Sequence, residues 1–386
     1  MRNHTRQPIS RTGFLRFSPN PAFHAAQCVL LGVATLLILA PARAYDLSGL
    51  PEYQVEYKVT EFEPIRLYGS GLNGLADALC EGFKKYHNPK FRFENRFPTS
   101  DGWVSGVEAG IADIGISGRE VMLTEYLSFN ETFGYDPVTV SIATGAADLK
   151  GRTWAEVIFV NKDNPIKGLT MKQLDGIFGS ERTGGYGGLV WRPERGRPAS
   201  ENIRSWSQLG LAGDWAGKEI QTYGYAFTGM TNFFQLAVFH GGDKWNSNYR
   251  QYIEYGTKMV APGAAGKAVD SKSMLAVDLT NDKFGIAWFG VAHAADVPGV
   301  RAVPLAYDEK GPYVLPTREN VQNRSYPLSR NVFMFIKHAP GQPVDPKVKE
   351  FMRFVLSRQG QEIVEKQNVY LPMTKELVEA ELKKLE

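Results

Sequence analysis

The chain has 386 residues, with 44 Lys+Arg against 41 Asp+Glu, 43% hydrophobic and 12% aromatic residues, and 2 cysteines. This composition excludes intrinsic disorder, a collagen-like repeat and a disulfide-stapled mini-fold. At roughly 100–200 residues per domain, the length predicts two domains or lobes, each large enough to bury a core.

Residues 1–44 read as an export signal. Arg2, Arg6, Arg11 and Arg16 precede the apolar run Cys28 to Ala40, and Ala42-Arg43-Ala44 matches a small-residue cleavage site, so cleavage is expected after Ala44. A membrane anchor is the alternative, but the run is shorter than the ~20 residues that a spanning helix needs. The segment removes 5 of the 44 basic residues and no acid, leaving 39 basic against 41 acidic residues, a net of −2. With no basic excess, nucleic acid is not an expected partner. Cys28 leaves with the signal; Cys80 lies in an apolar helical pattern, which predicts a core thiol rather than a nucleophile.

In chain order, Ile65 to Tyr68 reads as a strand, Gly69 to Gly74 as a loop, and Leu75, Ala78, Leu79 and Phe83 as the apolar face of a helix. Phe91 to Phe97 alternates as a half-buried strand. Trp103, Val104, Val107 and Ile111 form a second helical face ending near Gly110, before a strand from Asp113 to Ser117. Thr153 to Asn161 is a strand, and Thr170 caps a helix running to Phe178. Residues 179–217, rich in Gly, Arg and Pro, read as a surface excursion. Ile220 to Tyr225 is a strand, Thr228 to Thr231 a tight loop, and Asn232 to His240 a helix. Phe284 to Val291 and Asn331 to Lys337 are strands, and Val348 to Leu356 and Gly360 to Lys366 are closing helices. This alternation predicts α/β lobes with mixed sheets.

Catalytic signatures are weak. His87, His240, His293 and His338 are scattered with no i, i+4 pair, which argues against a metal site, and no G-x-S-x-G elbow is present. Gly69-Ser70-Gly71-Leu72-Asn73-Gly74 is a literal GxGxxG, with Glu94 twenty residues beyond Gly74, so a dinucleotide-binding enzyme is one reading. The export signal stands against it. The same loop suits a simpler task, because glycines admit an anion to the backbone and the following helix start offers free N–H groups. The pattern recurs at Pro98-Thr99-Ser100-Asp101-Gly102, at Ser117-Gly118-Arg119-Glu120 and at Phe227-Thr228-Gly229-Met230-Thr231. Hydroxyls, helix N-termini and one Arg together are what a dehydrated oxyanion requires; plain N-capping is the alternative for each.

Taken together, the chain resembles the substrate-binding proteins of phosphate ABC transporters and their periplasmic-binding-protein relatives. The resemblance runs from about Arg66 to Met373. It rests on Gly69-Ser70-Gly71, on Gly110-Ile111-Ala112-Asp113-Ile114-Gly115 with Ser117 and Arg119-Glu120, and on Val160-Asn161-Lys162-Asp163-Asn164-Pro165. Further on it rests on Gly285-Ile286-Ala287-Trp288, Tyr326-Pro327-Leu328-Ser329-Arg330 and Phe354-Val355-Leu356-Ser357.

The resemblance implies a non-enzymatic, two-lobed α/β fold of the type II periplasmic-binding-protein kind, with mixed sheets flanked by helices and a ligand cleft between the lobes. Lobe I is expected at residues 45–137 plus 292–386 and lobe II at 138–291. The implied ligand residues are Ser70, Gly71 and Leu72; Thr99, Ser100 and Asp101; Ser117 and Arg119; and Thr228, Gly229, Met230 and Thr231. The implied setting is a periplasmic or secreted monomer, without cofactor, that hands phosphate or a similar oxyanion to a membrane permease.

The last loop departs from the family's Arg-x-x-x-Ser-Gly-Thr: Gly224 stands where Arg is expected, and Met230 at the final Thr. That leaves Arg119 to supply the charge and opens a place for a larger oxyanion, or for an organic ligand stacked on Tyr223 and Tyr225. Asp101 can accept a hydrogen bond from a protonated phosphate, which sulfate cannot offer; a helix N-cap is its other reading. A competing class is a sensor of the same fold that contacts another protein through the Arg182 to Arg197 excursion.

Overall fold

The computed structural model describes residues 45–87, 90, 92–146, 155–226, 229–253, 258–260, 268–290 and 297–386. The expected export signal, Phe91, Thr153, Trp154, Thr228, Val291 and His293 lie outside these residues.

The chain begins with two strand–loop–helix units. Ile65–Gly69 (β1) leads to Leu75–Lys84 (α1), and Phe93–Arg96 (β2) to Trp103–Glu108 (α2). Ile114–Ser117 (β3) follows, buried at all four positions, then Leu123–Phe133 (α3) and Val138–Ala146 (β4). Hydrogen bonding orders the first sheet as Tyr370–Leu371, β4, Asn331–Ile336, β3, β1, β2. β1 is parallel to both β2 and β3, while Asn331–Ile336 runs antiparallel between β3 and β4. Both faces of this mixed sheet are covered. On one side Phe83 of α1 meets Phe351 and Phe354 edge-on at 5.2 and 5.5 Å; on the other Trp103 of α2 stacks on Phe335 at 4.1 Å.

The second sheet is ordered Arg250–Tyr252, Gln221–Tyr225, Gly285–Gly290, Glu156–Asn161 (β5), Val300–Ala302. β5 and Gly285–Gly290 are buried at every position. Met171–Phe178 (α4), Gly229–Val238 (α5) and Ser271–Asn281 (α6) belong to this half. α4 starts where the sequence predicts: Thr170 Oγ1 accepts the Gln173 N–H at 3.2 Å, and Gln173 Oε1 accepts the Thr170 N–H at 2.9 Å. α5 begins at Gly229, so Gly229 to Thr231 of the expected tight loop are already helix.

Where the chain passes between sheets, two segments lie side by side. The Gly145 N–H donates to the Arg330 carbonyl at 2.8 Å and the Glu156 N–H to the Leu328 carbonyl at 3.1 Å. Sheet membership therefore differs from the expected lobe edges at 137/138 and 291/292. β4 pairs with Asn331–Ile336 and stays in the first sheet, and Val300–Ala302 extends the second sheet along β5.

The excursion at 179–217 is not a simple surface loop. Arg182 and Arg197 are 6% and 4% exposed, and both grip Asp175 of α4. Trp206 is fully buried, its Nε1–H donating to the Phe284 carbonyl at 2.9 Å. Arg182 and Arg197 are thus internal struts, and a protein-contact role for these two side chains does not fit.

Candidate functional site

Parallel neighbours place their C-terminal ends together, and in open α/β sheets ligands bind in the crevice beyond those ends. Here β2, β1 and β3 are consecutive and parallel, so the loops that follow them are adjacent.

The loop after β1 turns on Gly69, at φ 135°, where an added Cβ would lie 2.0 Å from the Ile116 carbonyl oxygen. That close approach ties the loop to β3: the Ser70 N–H donates to Ile116 O at 2.8 Å. Ser70 Oγ accepts the Leu72 N–H at 3.3 Å, and Leu72 buries its side chain in the core. A Cβ on Gly71 would meet the Phe97 ring at 3.2 Å, so this loop and the one after β2 are in contact.

The loop after β2 divides its labour. Thr99 caps its own turn, accepting the Asp101 N–H at 3.4 Å, whereas Ser100 Oγ accepts the Gly118 N–H at 3.5 Å from the loop after β3. Asp101 does not act as the N-cap. Its Oδ1 accepts from Arg119 Nε at 2.7 Å.

After β3, Ser117 is fully buried and its Oγ accepts the Arg119 N–H at 3.2 Å. The Arg119 guanidinium, 5% exposed, makes a bidentate pair with Glu125 at 2.8 and 2.6 Å and donates to the Glu120 carbonyl at 2.9 Å. Burial pulls Arg119 toward the neutral form, but the Glu125 and Asp101 carboxylates override it and hold the group above its ordinary value. Ser70, Ser100 and Ser117 each accept a backbone N–H, and a hydroxyl that accepts still has one proton to donate.

The second sheet contributes the N-terminus of α5. A Cβ on Gly229 would lie 3.0 Å from Arg119 Cδ, so this helix start abuts the arginine. Met230 and Thr231 do not present their side chains there. Met230 is buried in the core of the second half, Thr231 Oγ1 donates to the Ala226 carbonyl at 2.5 Å, and Thr228 lies outside the described residues.

The expectation of an organic ligand stacked on Tyr223 and Tyr225 is overturned. Tyr223 is 2% exposed, with its hydroxyl donating to Asp282 at 2.8 Å, and Tyr225 is fully buried against Trp288. The departure at Gly224 has a steric cause: an added Cβ would fall 2.3 Å from both Trp288 Nε1 and Tyr249 Oη. No arginine fits at that point.

Two groups at the site were not singled out by sequence reasoning. Glu125 occupies the first turn of α3, where its Oε2 also accepts the Met122 N–H at 2.9 Å. Arg330, 4% exposed, donates to the Gly118 carbonyl at 3.3 Å, pairs with Glu120 at 3.5 Å and covers the Phe233 ring of α5 at 5.5 Å. Burial pushes the Glu120 carboxyl above its ordinary value, with Arg330 opposing. The signal for Arg330 was its place within Tyr326 to Arg330, already part of the resemblance.

The dinucleotide reading finds less support. Glu94, needed for a ribose in the dinucleotide reading, sits in register with Arg66 inside β2 rather than beyond its end. Among the described residues no group of three or more His, Cys, Asp or Glu is gathered to hold a metal.

A family model described as the PBP superfamily domain matches residues 69–359, and the chain belongs to this superfamily. The phosphate-binding protein PstS of Pseudomonas aeruginosa is 29% identical over 341 residues, covering 87% of this chain and 91% of that protein. A phosphate-binding protein PstS of Staphylococcus epidermidis is 27% identical over 208 residues, 53% of this chain and 50% of its own length. Among solved structures, an ABC-type phosphate transport receptor from Vibrio cholerae aligns with a TM-score of 0.46 at 18% identity, covering 80% of this chain and 100% of that one.

Proposed function

We propose that the protein is exported and serves as the substrate-binding component of a phosphate ABC transporter, capturing the anion between its lobes and delivering it to a membrane permease. In this reading lobe I comprises residues 45–146 and 330–386 and lobe II residues 155–328. It acts as a monomer and performs no catalysis. The observation that carries the reading is the meeting of three strand-end loops of one sheet with a helix N-terminus of the other, at Arg119.

Arg119 carries one positive charge and faces two carboxylates, so the anion's charge is met chiefly by hydroxyl and N–H donors and by the positive ends of helices. Asp101 sets the choice of anion. Its carboxylate accepts a hydrogen bond from a tetrahedral oxyanion that keeps a proton, and repels one that has none. Phosphate keeps a proton at neutral pH and sulfate does not. The 29% relative named for phosphate binding supports the ligand, and the N-terminal signal pattern supports the compartment.

Calorimetric titration of ligand-free protein tests this reading. Phosphate is expected to release heat and raise the melting temperature, with sulfate inert at the same concentration. Absence of both effects with phosphate would remove the transport reading.

A further inference from the structure

Arg330 stands where the chain re-enters lobe I, directly before the strand Asn331–Ile336. Its carbonyl accepts the Gly145 N–H at 2.8 Å, so its backbone belongs to the crossing between the lobes. The strand that follows places Phe333 opposite Ser117 in antiparallel register, and that register carries Arg330 to the level of Glu120, beyond the end of β3. The side chain is nearly sealed from solvent and touches both lobes: Gly118 and Glu120 on one side, Phe233 of α5 on the other.

The contacts with lobe I act on the loop that carries Arg119. A peptide is planar and trans, so its C=O and N–H point in opposite directions. The bond from Arg330 Nη2 to the Gly118 carbonyl therefore also directs the Arg119 N–H, which Ser117 Oγ accepts. A carbonyl oxygen engaged in this way cannot turn toward an anion, where its negative end would repel the ligand.

The contact with lobe II acts on α5. Phe233 follows Gly229 by four residues, so the two lie on one face of the helix. Gly229 abuts Arg119 and Phe233 lies under the Arg330 guanidinium. α5 thus meets lobe I on two guanidiniums, each paired from within lobe I, Arg119 with Glu125 and Asp101 and Arg330 with Glu120. A cation withdrawn from water is drawn to a ring face more strongly than an exposed one, and Phe233 is buried as well.

We infer that Arg330 is a positioning residue of the anion site: it holds the Gly118–Arg119 peptide in its binding orientation and, through Phe233, ties the approach of α5 to that orientation. It acts through Gly118 and Phe233 rather than on the anion itself. The inference rests on the anion-binding reading above, since it assigns the residue to that site.

Titration calorimetry with inorganic phosphate tests the coupling. Arg330→Met, which keeps the buried aliphatic stem, is expected to weaken binding at least tenfold, and Arg330→Lys, whose point charge cannot span Gly118, Glu120 and the ring together, to recover part of the loss. Phe233→Leu is expected to weaken binding about threefold beside Arg330 and to have no further effect in Arg330→Met, because the ring acts through the guanidinium. Urea unfolding of the ligand-free variants provides the control, since a merely structural Phe233 would lower stability without this dependence of affinity on residue 330. Where Arg330→Met does not fold, Arg330→Gln, which leaves Glu120 an amide partner, takes its place in the same comparison. An unchanged affinity on loss of the arginine, or an equal loss from Phe233→Leu in the two backgrounds, overturns this inference and leaves the anion reading intact. Failure of the unaltered protein to bind phosphate overturns the two readings together.

Discussion

Arg119 is fixed before a ligand arrives. Its head is held by Glu125 and Asp101 and its own N–H by Ser117, so little side-chain freedom is left to lose on binding. Lysine cannot reproduce this, because a point charge does not make the planar bidentate pair with Glu125. Arg119→Ala is therefore expected to weaken phosphate binding at least tenfold, the loss of a charge-assisted contact of about 1.5–3 kcal/mol, and Arg119→Lys to recover only part. Titration calorimetry reads the affinity, and urea unfolding in parallel separates loss of ligand from loss of fold. An unchanged affinity in Arg119→Ala would take the residue out of the site. The loops carrying Arg119 and Asp101 were legible in the sequence as short hydroxyl- and glycine-rich segments at strand ends, and the structure brings them into contact. Glu125 was not, since an acid in a first helical turn is commonplace. Cys80 reads correctly as a core thiol: it is 2% exposed, and burial pushes its pKa up to about 12. Tyr223 and Tyr225 were misjudged for a physical reason. The residues flanking Gly224 do not reveal by themselves whether their strand has a bare face, and this strand is covered on both.

Asp175 shows how an element can be organised from a distance. It projects from α4 and accepts both Arg182 nitrogens at 2.6 Å and Arg197 Nε at 3.0 Å, all three residues being nearly sealed from solvent. One carboxylate thus neutralises part of a buried double positive charge and holds the whole 182–197 segment to the helix. Removing one partner of a buried ion pair typically costs about 3–5 kcal/mol, because the other charge stays desolvated. Asp175→Ala is accordingly expected to lower the unfolding free energy by about that amount in urea denaturation, whereas a loss below about 1 kcal/mol would mean that the segment is held by its apolar contacts instead. This arrangement was not legible beforehand. Glycine, arginine and proline without periodicity describe a surface loop equally well, and the partner lies 7 and 22 positions away. The start of α4 was legible because its determinants are local: a Thr and a Gln three residues apart exchange bonds at one helix end.

At the scale of the molecule, the alternating α/β pattern and the two halves were readable, but the edges of the lobes depend on which strand pairs with which. β4 and Val300–Ala302 reveal their sheets only through partners far along the chain. The halves are bridged by paired crossing points, Gly145 to Arg330 and Glu156 to Leu328, which suits a hinge. If ligand capture works by closing that hinge, contacts present only between closed lobes control affinity without affecting either lobe alone. Gly229 is such a contact: a Cβ there would come within 3.0 Å of Arg119 Cδ and 3.2 Å of Arg119 Cβ, and Arg119 cannot retreat while Glu125 and Asp101 hold it. Gly229→Val therefore obstructs closure while leaving the open lobes undisturbed, and valine is no worse than glycine in a helix. Small-angle scattering is expected to show the unaltered protein contracting when phosphate is added and the variant contracting less. Phosphate affinity should fall at least tenfold, and ligand-free stability should stay within about 0.5 kcal/mol, the range of substitutions that disturb no packed contact. A variant that contracts and binds like the original protein would mean that Arg119 and α5 do not meet in the ligand-bound state, and the shared site would have to be sought elsewhere between the lobes.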